Sequence, residues 1–245
     1  MSNFSEIIRQ SSEAKKPRTG SDFVKLADDH QTIIRILDES PVVSWSHWVP
    51  KGHKDYPLAN NGRGISIMCP GGSTCPICAY NAKLKVMDPK DPNLIKARKV
   101  FSTNVLDRTP VVTCPSCGLE HYKAKNKWPT ECECGEDLTN VEPAPREKFQ
   151  ILQKGITLFG QFEAFENDPD FGDLREYDIK IDVRGSGKDS MITCTPKQHA
   201  EVDIKSLITD TNKPFNIEEI VKPLNPDQIT SIIEGSSFFD VVSAK

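Results

Sequence analysis

CPGGSTCPIC (69–78), CPSCGLEHYK (114–123) and ECECGEDL (131–138) together hold seven of the chain's eight cysteines. A Cys-x-x-Cys followed by a second close cysteine pair, with 14 residues between Cys117 and Cys132, suits tetrahedral thiolate coordination of zinc. Each pair on a tight turn supplies half a coordination shell, and the loop between them closes it. Cys114, Cys117, Cys132 and Cys134 therefore read as a zinc ribbon. Four thiolates leave no open position, so the ion is expected to be structural and not catalytic. The second half, Cys-x-Cys, is tighter than the usual Cys-x-x-Cys, and His121 is a reserve ligand.

The earlier cluster, Cys69, Cys75 and Cys78, is one ligand short. His47 and His53 are the upstream candidates. His53 lies in the turn-rich KGHKDYPLANNGRG (51–64), whereas His47 belongs to VVSWSHWV (42–49), whose alternation predicts a strand. A strand fixes the direction of the ring, which favours His47. A site built from His47, Cys69, Cys75 and Cys78 would again be closed, and metal binding there would become folding energy. The eighth cysteine, Cys194 in MITCTP, reads as an ordinary buried thiol.

Outward from the cysteines, the chain reads as mainly β with short helices. TIIRIL (32–37), VVSWSHWV and ISIMC (65–69) predict strands. CPICAYNAKLKVM predicts a knuckle leading into a helix, which DPKDP (88–92) stops. LIKARKVFSTNVLDR (94–108) begins helix-like and ends as a strand. LREYDIKIDVRG and DSMITCTP predict a hairpin around GSG. Near the C-terminus Asn225 is placed to cap a helix, Pro226 to take its first position and Gly235 to stop it. Three parts follow: a basic N-terminal arm (1–21), a core (22–205) with the ribbon inserted at 110–142, and a helical C-terminal extension (206–245).

With a net charge of −4, bulk electrostatics announce no nucleic-acid partner, but the charges are segregated. Residues 83–108 carry seven bases against three acids, and residues 163–178 carry seven acids against Arg175. No apolar run approaches the ~20 residues of a membrane helix, and the N-terminus lacks the apolar core of a signal peptide. A cytoplasmic protein without a membrane partner is expected, where thiols ligate metals more often than they form disulfides.

No catalytic constellation is present. RGSGKDS (184–190) fails the phosphate-loop pattern, with Asp189 where Ser or Thr must hold magnesium and Asp182 where the first glycine belongs. There is no nucleophile elbow and no HExxH, and the acids at 163–178 read as a solvated loop rather than the carboxylate cluster of a nuclease. The chain is read as not an enzyme. What stands out instead is interleaving: Trp45, Trp48, Tyr80, Phe101, Tyr122 and Trp128 alternate with Lys51, Arg98, Lys99 and neighbouring lysines. Aromatic stacking on bases with cations on phosphates is how single strands are bound without sequence preference. Trp45 and Trp48 fall on opposite faces of one strand, so both cannot enter a single core.

Over residues 22–203 the sequence resembles the single-stranded DNA-binding (helix-destabilising) proteins of tailed phages. The resemblance rests on TIIRIL, His47 in SHWV, Cys69, CPIC with Tyr80 beyond it, and KARKVFSTNVL. It extends to GITLFGQF, FGDLREYDIKI and RGSGKDSMITCTP, which look like that family's closing strands. It implies an OB-fold-type five-stranded barrel holding zinc on His47, Cys69, Cys75 and Cys78. It also implies a DNA cleft lined by aromatics and cations, with Arg98, Lys99 and Phe101 on one strand and Arg184 and Lys188 in the hairpin. Arg35, Trp45, Trp48, Lys51 and Tyr80 complete the candidate contacts. The ribbon, however, is foreign to the best-known members, and no strongly acidic tail is present.

The expectation is a protein that coats single-stranded DNA in replication, recombination and repair, in the host cell's cytoplasm if viral. Replication and recombination proteins, and further copies of itself along the DNA, are the expected partners. The alternative is a zinc-ribbon transcription or recruitment factor that works mainly through protein contacts.

Overall fold

The computed structural model describes residues 22–26, 31–50, 53, 64–123, 127–185, 190–199 and 201–236. Lys51, Lys188 and the 1–21 arm lie outside them. The described elements are mainly β, in two antiparallel sheets with short helices. The larger sheet has seven strands: β1 (Gln31–Ile36), β2 (Val42–Val49), β3 (Ile65–Met68), β4 (Ala97–Asp107), β8 (Lys148–Lys154), β9 (Tyr177–Arg184) and β10 (Met191–His199). The smaller holds β5 (Pro110–Thr113), β6 (Glu120–Tyr122) and β7 (Ala144–Pro145).

β4 is the spine. One edge pairs first with β2, from Val42 opposite Ser102 to His47 opposite Ala97, and then with β1, Ile36 opposite Val105. Its other edge pairs with β8. β1 and β2 thus act as one strand broken at a bend, and the Asp38 carboxylate pins that bend. It accepts from the Asn104 N–H at 2.6 Å, a donor left over where neither strand reaches. β9 takes the outer edge of β1, and β3 the outer edge of β2. Among the described residues no closed barrel is found, so the larger sheet is not the expected five-stranded barrel.

Alternation sorts the strands into two faces. Ile34, Ile36, Val105, Leu152, Tyr177, Ile179 and Ile181 share one face and are buried under the first helix to pack there, Ile156–Glu166. GITLFGQF is therefore a helix and not a closing strand. The reason is its spacing: Leu158, Phe162 and Phe165 recur at helical intervals, and Leu158 and Phe162 are 1% and 2% exposed. The predicted hairpin of β9 and β10 is present, with Cys194 opposite Ile181 and buried in the same core.

The helices are α1 (Pro76–Met87), α2 (Ile156–Glu166), α3 (Ile217–Ile220) and α4 (Pro226–Ile233). α4 starts with a full capping box between Asn225 and Gln228, with Pro226 in the first turn. Its Ile229, Ile232 and Ile233 join Val49, Ile65, Ile67, Ile77 and Ile95 in a second core. Residues 215–233 are thus packed into the body, with Phe215 bonded to Asn104 of β4.

LIKARKV holds no helix, because β4 begins at Ala97 and residues 94–96 are irregular. The side-chain amide of Asn81 accepts from Ile95 N–H at 3.0 Å and donates to Ile95 C=O at 2.6 Å. With both backbone groups of Ile95 engaged by Asn81, no helical hydrogen bond can form through it.

Candidate metal centres and the aromatic strand

In the first cluster β2 supplies His47, the end of β3 Cys69, and the start of α1 Cys75 and Cys78. The four ligand atoms lie within 4.8 Å of one another. His47 Nε2 is 3.5 Å from Cys75 Sγ and 3.4 Å from Cys78 Sγ, and Cys69 Sγ is 3.6 Å from Cys78 Sγ. Bond lengths to zinc of about 2.3 Å for sulfur and 2.0–2.1 Å for nitrogen give tetrahedral edges of about 3.75 Å (S···S) and 3.55 Å (S···N). These three distances lie close to those edges, and the cluster could hold one such ion.

The ring of His47 is set for that task. Nδ1 lies 3.0 Å from the Ile95 carbonyl, which can only accept, so the proton is on Nδ1 and the Nε2 lone pair faces the sulfurs. His47 is fully buried, and burial pulls its pKa below the ordinary value against the opposing pull of the Ile95 carbonyl. Burial also raises the Cys75 thiol and, with the neighbouring Cys69, pushes Cys78 up to about 12. Ionising these thiols out of water requires a cation among them. His53, the other candidate, bonds the Asn93 carbonyl through Nε2 at 2.9 Å and stands edge-on to Tyr80.

Asn81 is the functional residue that sequence reading missed. By holding Ile95 it fixes the carbonyl that orients His47. The available signal was its place three residues beyond Cys78 on α1.

The second cluster is built differently. Cys114 and Cys117 lie on one turn, where Gly118 donates to Cys114 C=O and takes φ 72°; Cys132 and Cys134 lie on another, where Gly135 donates to Cys132 C=O at φ 87°. These sulfurs too lie within 4.8 Å of one another, with Cys114–Cys134 at 3.6 Å and Cys117–Cys132 at 3.5 Å. His121 is no substitute ligand; its Nε2 sits 3.2 Å from Cys132 Sγ, as an outer-shell partner of that sulfur. Val112, Leu138 and Trp128 pack beneath, so Trp128 belongs to the ribbon's own small core. Arg146 anchors the ribbon to the main sheet, pairing with Asp107 of β4 at 3.0 Å and Glu120 of β6 at 2.7 Å.

The candidate nucleic-acid contacts divide. Trp45 and Trp48 are 47% and 52% exposed, as expected for opposite faces of β2. Lys99, opposite Trp45 in the pairing, lies over its ring at 5.7 Å. Arg98 faces the other way, on the side of Trp48. Arg184 is exposed at the end of β9.

Three others are engaged within the chain. Arg35 is 4% exposed and pairs with Asp178 at 2.7 Å, because alternation turns both to the sheet face opposite Ile34 and Ile179, side by side on adjacent strands. Asp178, which also pairs with Arg108 at 2.9 Å, is accordingly an anchor and not part of a solvated acidic loop. Phe101 is stacked on Phe159 of α2 at 5.2 Å, and Tyr80 packs against the second core.

Among the described residues, the groups able to hold a metal contain no carboxylate, and no helix is long and apolar enough to cross a membrane. The chain matches no protein-family model and no curated protein.

Proposed function

We propose that this chain is a single-stranded DNA-binding protein with two structural zinc ions, built on an OB-type arrangement of the larger sheet. The observation that carries the reading is the aromatic strand. β2 holds two tryptophans about half exposed, beside a strand that supplies Lys99 and Arg98. An indole left in water costs apolar burial, and a cation beside it suits a ligand with flat bases and charged phosphates. The bent β1–β2 strand wrapped along β4, and the resemblance to tailed-phage proteins, support the same reading.

The roles follow from chemistry. Trp45 stacks a base while Lys99 neutralises the adjoining phosphate; Trp48 and Arg98 offer a similar pair on the opposite face. Both clusters have four protein ligands and no free coordination position, so the ions hold the fold and react with nothing. Binding is expected to be sequence-tolerant and to weaken steeply with salt.

Quenching of tryptophan fluorescence by oligo-dT, compared with duplex of equal length, tests the reading. Single strands should bind far more tightly, and Trp45→Ala should cost about 1–3 kcal/mol of binding. Equal affinity for duplex and single strand would overturn it.

A further inference from the structure

Among the described residues, helix α2 leaves part of the sheet face uncovered. Between it and the β1–β2 turn lies a groove of about 310 Å³. Phe101 and Phe159 form its apolar floor, and Ile156, 62% exposed, stands at one end. Glu39 from the turn and Glu163 and Glu166 from α2 are exposed along its rim, and among the described residues none that lines it is basic. Asp38 also lines it, but its carboxylate is occupied by Asn104 and Thr103.

Gly160 adds an independent observation. It lies in the interior of α2, where glycine is less stable than alanine. A Cβ placed there would meet nothing within 4 Å among the described residues, so their packing does not require the glycine. Its effect is to keep the groove open at its middle. From Ile156 to Glu166 the groove follows the helix for about 15 Å, the reach of a short peptide rather than a single side chain.

We propose that this groove docks a basic peptide segment of a partner protein. An apolar side chain of the peptide lies over Gly160 against Phe101 and Phe159, and its lysines or arginines pair with Glu39, Glu163 and Glu166. The charge pattern selects this occupant: three carboxylates around an apolar floor attract a cationic amphipathic chain and repel phosphates.

The test uses the full chain and a short fluorescein-labelled peptide of alternating lysine and leucine, followed by anisotropy. A lysine–serine peptide of equal charge should bind roughly tenfold more weakly, because it lacks the anchor. Gly160→Leu, which fills the groove, should weaken the lysine–leucine peptide roughly tenfold while the melting temperature holds or rises. Glu163→Lys with Glu166→Lys should weaken it at least as much. Unchanged binding in Gly160→Leu would overturn the proposal. So would an equal loss of oligo-dT affinity in that variant, since the groove would then serve nucleic acid. Tighter peptide binding after Lys15→Glu, Lys16→Glu and Arg18→Glu would make the occupant the chain's own basic segment, and would overturn it as well.

Discussion

At the His47 cluster the ligands come from a strand, the end of a second strand and the first turn of a helix; at the ribbon all four come from two turns. The first set draws β2, β3 and α1 together, and α4 packs on the same core. The second closes mostly on itself, above a core of a few residues. Their exposure differs in the same sense. His47 and Cys75 are fully buried, whereas Cys117 and Cys134 of the ribbon are exposed. Two four-ligand clusters, one of a histidine and three cysteines and one of four cysteines, therefore have unequal structural reach: one belongs to the main body, and the other to a module fastened to it by Arg146.

The sharpest way to break this comparison is to remove one thiol from each cluster. Cys75→Ser is expected to destabilise the main body by at least about 4 kcal/mol, because the metal's binding energy is part of its folding energy. Cys114→Ser should lose the ribbon and leave the main calorimetric transition nearly in place. Metal analysis should show two ions per chain falling to one in each variant. A main transition lowered equally by both would erase the distinction.

Next in size is the fastening itself. Arg146 and Asp107 are 9% and 5% exposed. Arg146→Met strands a buried carboxylate, and should cost about 3 kcal/mol in urea unfolding. A cost near zero would mean that the ribbon is not held against the sheet.

The outer-shell residues give smaller, selective effects. Asn81→Ala should weaken metal at the His47 cluster by about 10–100-fold in chelator competition and leave the ribbon's affinity unchanged. His121→Ala should do the converse at the ribbon, by about tenfold or less, since it touches a single sulfur. Crossed effects would show that the two centres are coupled.

How much was legible in the sequence follows the same division. The ribbon's ligands, the α4 cap at Asn225 and the β9–β10 hairpin rest on residues close in the chain, where spacing and local propensity suffice. The choice of His47 over His53 also came from a local fact, the alternation that makes 42–49 a strand. Alternation likewise put Trp45 and Trp48 on opposite faces, but it could not say what would cover each face. Arg35 read as a free cation because its partner, Asp178, stands far along the chain on β9. Phe101 read as a base-stacking ring because nothing nearby revealed that Phe159 would lie against it. GITLFGQF was read as a strand through resemblance, although its apolar spacing is helical.

The sequence by itself determined which residues could bind metal and that β2 and the β9–β10 hairpin would be strands, because thiol spacing and side-chain alternation are properties of the local chain. Only the tertiary structure decided that Asn81 orients His47 through Ile95, that Arg146 fastens the ribbon, and that an acidic groove opens over Gly160. Each of these depends on groups remote in sequence meeting at hydrogen-bond or van der Waals distance, and that meeting is set by how the sheet bends around α2 and the first metal cluster.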